Sequence, residues 1–174
     1  MLRLLTPVEA DAIDAEHTPE LDGYSWFGAR RPGGLRRRVE SGQDLTPERG
    51  NFAISEDVGS AIAHESGRLL GDISWRRIPT GPTPHSFCWE FGVYVLLAER
   101  GRGVGTEAQR LIAAYLFDTT LAQRVQASTD VTNLAEQRSL EKAGFTREGI
   151  LRGIQFRFGE WHDMVSYSKL RGEA

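Results

Sequence analysis

The stretch ERGRGVGTEAQRLIAAYLFD, residues 99–118, places three glycines and two arginines within six positions and then continues with the spacing of a helix. Glycine removes the Cβ that would keep an anion away from the backbone. The first N–H groups of a helix have no partner within it, and the helix dipole adds partial positive charge there. The stretch therefore predicts a phosphate or pyrophosphate site. A tight turn with solvated arginines is the alternative interpretation.

Two familiar phosphate-binding motifs are absent. The chain has no G-x-x-x-x-G-K-[ST] segment, which argues against a P-loop nucleotide hydrolase. The dinucleotide fingerprint G-x-G-x-x-G also fails, because Gly101 and Gly103 are followed by Thr106 where the last glycine belongs. If the glycine cluster binds a phosphate, it does so by a motif other than these two.

The composition is typical of a globular protein and predicts a single domain over residues 1–174. A net charge of -3 gives no electrostatic argument for nucleic acid, and no apolar run approaches the length of a membrane span. The four histidines lack metal-ligand spacing, so no metal is expected. The single cysteine, Cys88, is interpreted as a buried strand residue. These features, with an acidic N-terminal segment, predict a cytoplasmic protein.

The hydrophobic pattern predicts the element order β-α-α-β-β-β-α-β-α-β-β. Thr6 and Pro7 are typical of a helix start, and a turn is expected at residues 57–60. The segment SFCWEFGVYVLL, residues 86–97, has apolar residues on both faces, as a strand covered on two sides requires. The fold class is therefore α+β, with one mixed central sheet of about six or seven strands flanked by helices.

The pattern Arg-x-x-Gly-x-Gly, residues 100–105, resembles the acyl-CoA pyrophosphate loop of the GNAT superfamily of N-acyltransferases. The preceding WEFGVYVLLAE and the later NLAEQRSLEKAGFTREGILRG are also similar to segments of that family. The closing EWHDMVSYSKL resembles the branch that contains the ribosomal-protein N-terminal acetyltransferases. The resemblance covers roughly residues 50 to 170 and implies the GNAT fold, with acetyl-CoA or another acyl-CoA as co-substrate.

The resemblance also implies which residues hold the coenzyme. Main-chain groups of Val93 and Val95 are expected to bond the pantetheine arm, and Asn133 to hydrogen-bond it. Asn133 is equally suited to cap the following helix. The pyrophosphate is expected on the backbone of Arg100, Gly101, Arg102, Gly103, Val104, Gly105 and Thr106.

Transfer of an acyl group to an amine requires a proton acceptor for the amine and a group that steadies the departing thiolate. Glu90, between Trp89 and Phe91, is the expected base; a carboxylate paired with an arginine across the sheet is the alternative. The family's usual thiolate partners are missing, since their positions hold Glu136 and Leu140. The acid is left open among Ser139, Tyr94, Tyr167, Glu136 and solvent.

The acceptor pocket is expected between the N-terminal loop, the turn at residues 79–86 and the last hairpin. Its candidate residues are Trp26, Phe27, Trp75, His85 and His162, and either histidine is an alternative base. The expected reaction is direct transfer to a primary amine of a protein N-terminus or a small metabolite. A non-catalytic acyl-CoA sensor is the alternative function, and the chain is expected to be a monomer or a homodimer.

Overall fold

The computed structural model describes residues 1–18, 20–21, 23–24, 33–56 and 67–173. The helices are α1 (Pro7–Glu16), α2 (Gly34–Glu40), α3 (Val104–Thr119) and α4 (Leu134–Lys142). The strands are β1 (Leu2–Leu4), β2 (Leu45–Thr46), β3 (Arg49–Ser55), β4 (Leu69–Pro79), β5 (Phe87–Val95), β6 (Arg124–Asp130), β7 (Thr146–Arg157) and β8 (Glu160–Leu170). A single 3₁₀ turn at Leu97–Glu99 precedes the glycine cluster.

All the strands belong to one mixed sheet with the order β1-β3-β4-β5-β6-β8-β7, and β2 pairs with β3. The pair β5–β6 is parallel and the other pairs are antiparallel. The predicted α+β class is confirmed. The sheet has eight strands rather than six or seven, because the two-residue β2 adds a short pairing that its sequence does not signal. The predicted turn at residues 57–60 lies outside the described residues.

Helices cover the sheet on both faces, and β5 contributes to both sides. Trp89 and Phe91 join a large core with the apolar faces of α3 and α4. Tyr94, on the opposite face of the same strand, joins a smaller core with α1 and α2. Alternate residues of a strand point to opposite faces, so β5 is covered twice, as its sequence predicts.

A gap separates β5 from β6 along part of their length. Their described pairing is confined to Trp89↔Val125 and Glu90↔Gln126. Beyond Glu90, β5 stays paired to β4 as far as Val95, and β6 stays paired to β8 as far as Asp130. Residues 91–95 and 127–130 therefore face each other without a ladder between them. The chain segment that leads into α3 follows β5 at the open end of this gap.

Two further predictions concern Cys88 and the location of the protein. Cys88 is buried and forms no disulfide, as its position within an apolar strand suggests. Among the helices of the described residues, none combines the length and apolar character needed to cross a membrane. The cytoplasmic location stays a prediction.

Candidate active site

The segment Arg100–Gly103, called here the glycine loop, connects the 3₁₀ turn to α3. Gly101 and Gly103 have φ values of 75° and 81°, a backbone conformation that side chains disfavour. A Cβ built at either glycine meets no atom within 4 Å, so packing does not require glycine there. Open space therefore lies over this backbone, and a side chain would occupy it. The glycines thus leave the backbone of this loop accessible to a ligand.

The start of α3 offers hydrogen-bond donors to the same space. In the described chain no side chain caps this helix end, and the first backbone bond of the helix runs from the N–H of Glu107 to the carbonyl of Gly103. The amides of Val104, Gly105 and Thr106 therefore precede the bonded part of the helix and are available to an anion.

The two loop arginines are engaged by the protein rather than extended into this space. Arg100 donates from Nε to the carbonyl of Val95 at 2.9 Å, and its guanidinium lies 5.3 Å from the centre of the Tyr94 ring. Arg102 pairs with Glu99, which also pairs with Arg68. The hydrogen bond from Arg68 holds the pKa of Glu99 below its usual value. Because the guanidinium groups of Arg100 and Arg102 are both engaged by the protein, the backbone amides are the principal anion donors of the loop.

The walls of the gap carry the residues expected to bind the pantetheine arm. Val93 and Val95 lie on β5 beyond its last pair with β6. Asn133 caps α4, because its Oδ1 accepts a hydrogen bond from the N–H of Glu136 at 3.3 Å. Its side-chain NH₂ has no partner among the described residues. Asn133 therefore combines the capping role with a donor that a bound ligand can use.

A chain of polar side chains connects the start of α3 to the first turn of α4. The hydroxyls of Thr106 and Ser139 lie 2.9 Å apart. Ser139 donates to Oε1 of Gln109 at 3.1 Å, and Nε2 of Gln109 donates to Glu136 at 2.7 Å. We call these four residues the polar chain. The structure thus brings Ser139 and Thr106 together beside the glycine loop.

Glu136 is the titratable member of the polar chain. Burial raises the pKa of its carboxyl group from 4.5 to about 7, because the charged form loses hydration that the fold does not replace. Gln109, the only direct side-chain donor that the described structure shows to it, is fully buried. A carboxyl group with a pKa near 7 is protonated in about half of the molecules at neutral pH and is able to release that proton. Sequence reasoning did not single out Gln109, since one polar residue on a helix gives no local signal.

Glu90 occupies the closed end of the gap, on the face of the sheet that α1 and α2 cover. Arg76, its cross-strand neighbour, donates to the carboxylate from Nε at 2.8 Å, and Gln126 lies 3.4 Å from the other oxygen. The apolar surroundings expected from Trp89 and Phe91 are not found, because strand alternation turns those two side chains to the other face. The cross-strand arginine alternative is the one that the structure shows.

The hydroxyls of the two tyrosines considered as acids bond to residues outside the polar chain. The Tyr94 hydroxyl donates to Glu16 at 3.2 Å, and its ring lies 4.0 Å from that of His17, so it faces α1. The Tyr167 hydroxyl donates to Glu141 at 3.1 Å. Burial raises the pKa of Tyr167, which makes it a poor proton donor at neutral pH.

Two of the residues expected in the acceptor pocket, Trp75 and His85, lie elsewhere in the described structure. Trp75 is 6% exposed and packs against Phe52 and Tyr115 in the core, so it has a packing role instead. The sequence could not show this, because an aromatic residue on a strand does not reveal which face is covered. His85 is exposed in the turn after β4. Trp26 and Phe27 lie outside the described residues.

His162 does line a cavity of about 440 Å³ at the end of β6. We call it the hairpin cavity; its described lining is Gly23, Tyr24, Asp130, Val131, Thr132, Arg157, Trp161, His162 and Asp163. It unites the segment after α1 with the β7–β8 hairpin, and its described lining includes no residue of the turn at 79–86 that the prediction also placed in the acceptor pocket. His162 lies 3.4 Å from Asp130 through Nδ1 and 3.2 Å from the Arg157 carbonyl through Nε2. Both ring nitrogens thus contact protein acceptors, which disfavours His162 as a base.

No metal centre accompanies this site in the part of the chain that the structure describes. No group of three or more His, Cys, Asp or Glu side chains there is placed to hold an ion.

Comparison with known proteins places the site in context. Residues 1–146 match the model of a family described as "Acetyltransferase (GNAT) domain". The probable N-acetyltransferase YjcK of Bacillus subtilis is 38% identical over 135 residues, which are 75% of this chain and 67% of that protein. The spermidine N-acetyltransferase of Vibrio cholerae, solved with CoA and spermine, has a TM-score of 0.80 at 16% identity over 99% of this chain and 96% of that one. The ribosomal-protein-S5-alanine acetyltransferase of Vibrio fischeri has a TM-score of 0.77 at 18% identity, over 99% and 93%.

Proposed function

The chain belongs to the GNAT acetyltransferase family, and we propose that it transfers an acetyl group from acetyl-CoA to a primary amine held in the hairpin cavity. The resemblance drawn from the sequence is confirmed, as are the enzyme class and acetyl-CoA as co-substrate. The observation that carries the proposal is the gap between β5 and β6 with the glycine loop at its open end. The loop amides would hold the diphosphate, and the gap would admit the pantetheine arm.

The two faces of the sheet offer different groups to the reaction. Glu90 lies on the face of α1 and α2, where an acceptor would approach, and Glu136 lies on the face of α3 and α4, beside the gap. Glu90 would take a proton from the attacking amine as nitrogen bonds to the carbonyl carbon. Glu136 would give its proton to the sulfur as the carbon–sulfur bond breaks. The environments of the two carboxyl groups differ, which is how one site supplies a base and an acid.

Glu136 supports this role better than the other candidates for the acid. It stands at the position where the family resemblance places a thiolate partner, and about half of it carries a proton at pH 7. Ser139 has already directed its proton to Gln109, so it is better suited to orient the polar chain. Tyr94 faces α1. In this proposal Ser139 is a positioning residue and Tyr94 a packing residue.

The acceptor would be the amino group of a protein N-terminus or of a small metabolite. Exposed aromatic side chains at the hairpin cavity, Tyr24 and Trp161, would contact the group next to the amine. We propose to test three amines: a peptide that begins with alanine, phenylalaninamide and spermidine. The first and third correspond to the acceptors that the names of the structural neighbours mention.

The deciding experiment measures thiol release from acetyl-CoA with each amine and the gain of one acetyl group by mass spectrometry. We expect turnover with at least one amine, and Glu136→Gln should lower the rate while acetyl-CoA still binds. The rate of the wild type should fall as pH rises through about 7, because Glu136 then loses its proton.

Coenzyme binding without thiol release from any amine would contradict catalysis and support the sensor. One observation favours the sensor. Arg76 already donates a hydrogen bond to the Glu90 carboxylate, so Glu90 must break this ion pair before it can accept a proton. The Arg76→Gln variant distinguishes the two functions. If the protein is an enzyme, the substitution should raise turnover, because it frees the Glu90 carboxylate. If the protein is a sensor, the variant should have no turnover.

A further inference from the structure

A buried arginine forms part of the lining of the hairpin cavity. Arg157, at the end of β7, is 2% exposed. Its Nη1 donates to the carbonyls of Gly23 and Tyr24 at 2.8 and 3.0 Å, and its Nη2 pairs with Asp130. One side chain therefore connects the β7–β8 hairpin, the end of β6 and a segment 134 positions earlier in the chain.

Asp130 is fully engaged in holding this arrangement. Its Oδ1 accepts hydrogen bonds from the N–H and hydroxyl of Thr132 at 2.8 and 2.6 Å. Its Oδ2 contacts Arg157 and His162. Hydrogen bonds from Thr132 and the charge of Arg157 keep the pKa of Asp130 low against the opposing effect of burial. The carboxylate thus stays charged opposite the buried guanidinium.

Each partner in this arrangement is costly to leave alone. Removing one member of a buried ion pair leaves an uncompensated charge, which is strongly destabilising. Two carbonyl groups on the segment after α1 would also lose their donor. That segment ends, among the described residues, at Tyr24, which is 44% exposed and lines the hairpin cavity beside Trp161.

Resting on the proposed function, we infer that Arg157 is the positioning residue of the acceptor pocket: it holds Tyr24 in place as a wall of the hairpin cavity. It does not touch the coenzyme loop, and it acts on the acceptor through the backbone of Gly23 and Tyr24. Arg157 should therefore determine the apparent affinity for the amine and leave coenzyme binding unchanged.

The test compares Arg157→Met and Arg157→Lys with Arg152→Met, a control on the same strand whose side chain is exposed. For the best of the three amines, Arg157→Met should raise KM at least about tenfold with kcat within about twofold and an unchanged Kd for acetyl-CoA. Arg157→Lys keeps the positive charge but has a single nitrogen donor. Its KM for the amine should therefore lie between those of the wild type and of Arg157→Met. Amide hydrogen exchange in residues 20–24 should become faster in Arg157→Met and stay unchanged in Arg152→Met.

Hydrogen exchange tests the inference even if the wild type acetylates none of the three amines, an outcome that would count against the proposed function alone. If Arg157→Met fails to fold, Tyr24→Ala, a change at an exposed side chain, should still raise KM without changing kcat. Unchanged exchange in residues 20–24, or a loss confined to kcat or to acetyl-CoA affinity, would overturn the inference. An unchanged KM in Tyr24→Ala would do so as well.

Discussion

Glu136→Gln should stabilise the protein at high pH and leave it nearly unchanged at low pH. The unfolded carboxyl group ionises near 4.5 and the folded one near 7. Between these values the folded state holds a proton that the unfolded state has released. The free energy of unfolding therefore falls as pH rises from 4.5 to 7, and it stays reduced above that range. Glutamine does not titrate, so the free energy of unfolding of the variant does not fall over this pH range.

The magnitude follows from the difference between the two pKa values. A shift from 4.5 to about 7 corresponds to about 3 kcal/mol at a pH above both values. For a chain of this length the change in Tm is roughly 6–12 °C. The substitution preserves the surroundings, since the glutamine side-chain oxygen can accept the hydrogen bond that Gln109 now donates. The helix cap is also kept, because Asn133 bonds the backbone N–H of residue 136.

The assay is thermal and urea unfolding of wild type and variant at pH 5, 6, 7 and 8, with Glu107→Gln as a control. Glu107 is exposed and lies in a 3.4 Å pair with Arg110, and such pairs contribute only a few tenths of a kcal/mol. We expect the stability difference for Glu136→Gln to grow with pH while that of the control stays flat. Equal destabilisation at every pH would refute the reasoning, since it would mean that the carboxylate is stabilised in the fold.

Three further predictions concern the coenzyme site and the base. Gly103→Glu should weaken acetyl-CoA binding about a hundredfold or more in calorimetry, by filling the loop with bulk and negative charge. The control Gly172→Glu, also at a positive φ but outside the site, should leave acetyl-CoA affinity unchanged. An equal loss of affinity in both variants would point to backbone strain as the cause. Glu90→Gln should lower kcat roughly a hundredfold with unchanged acetyl-CoA affinity; an unaltered pH–rate profile would remove Glu90 as the base. Asn133→Ser keeps a capping oxygen but loses the side-chain NH₂ donor. The variant should therefore keep its stability and have a higher KM for acetyl-CoA. A lower Tm with an unchanged KM would show that Asn133 only caps the helix.

The sequence predicts the backbone features of the glycine loop and of the α4 cap well because their signals are local. The glycines of residues 101–105 report a backbone conformation, and Asn133 precedes a helix that needs a cap. The apolar pattern of β5 likewise reveals a strand covered on both faces. Each of these features depends on residues within one or two turns of chain, which a single sequence records directly.

The catalytic and acceptor sides depend on contacts between distant segments, and there the sequence is less informative. Glu90 meets Arg76 because of strand register, and Gln109 meets Glu136 because two helices pack side by side. Arg157 reaches Gly23 across most of the chain. Nothing near these residues in the sequence marks their partners. The burial of Trp75 could not be predicted for the same reason, because the packing of α3 determines which face of β4 is covered.

Chemical shifts of the backbone amides test the central claim most directly, in a ¹⁵N-labelled protein titrated with acetyl-CoA. The account predicts that the largest changes fall on Gly101, Arg102, Gly103, Val104, Gly105 and Thr106, followed by Val93 and Val95. Amides of the glycine loop that stay unmoved at saturating acetyl-CoA, with the changes gathered on another surface, would contradict it.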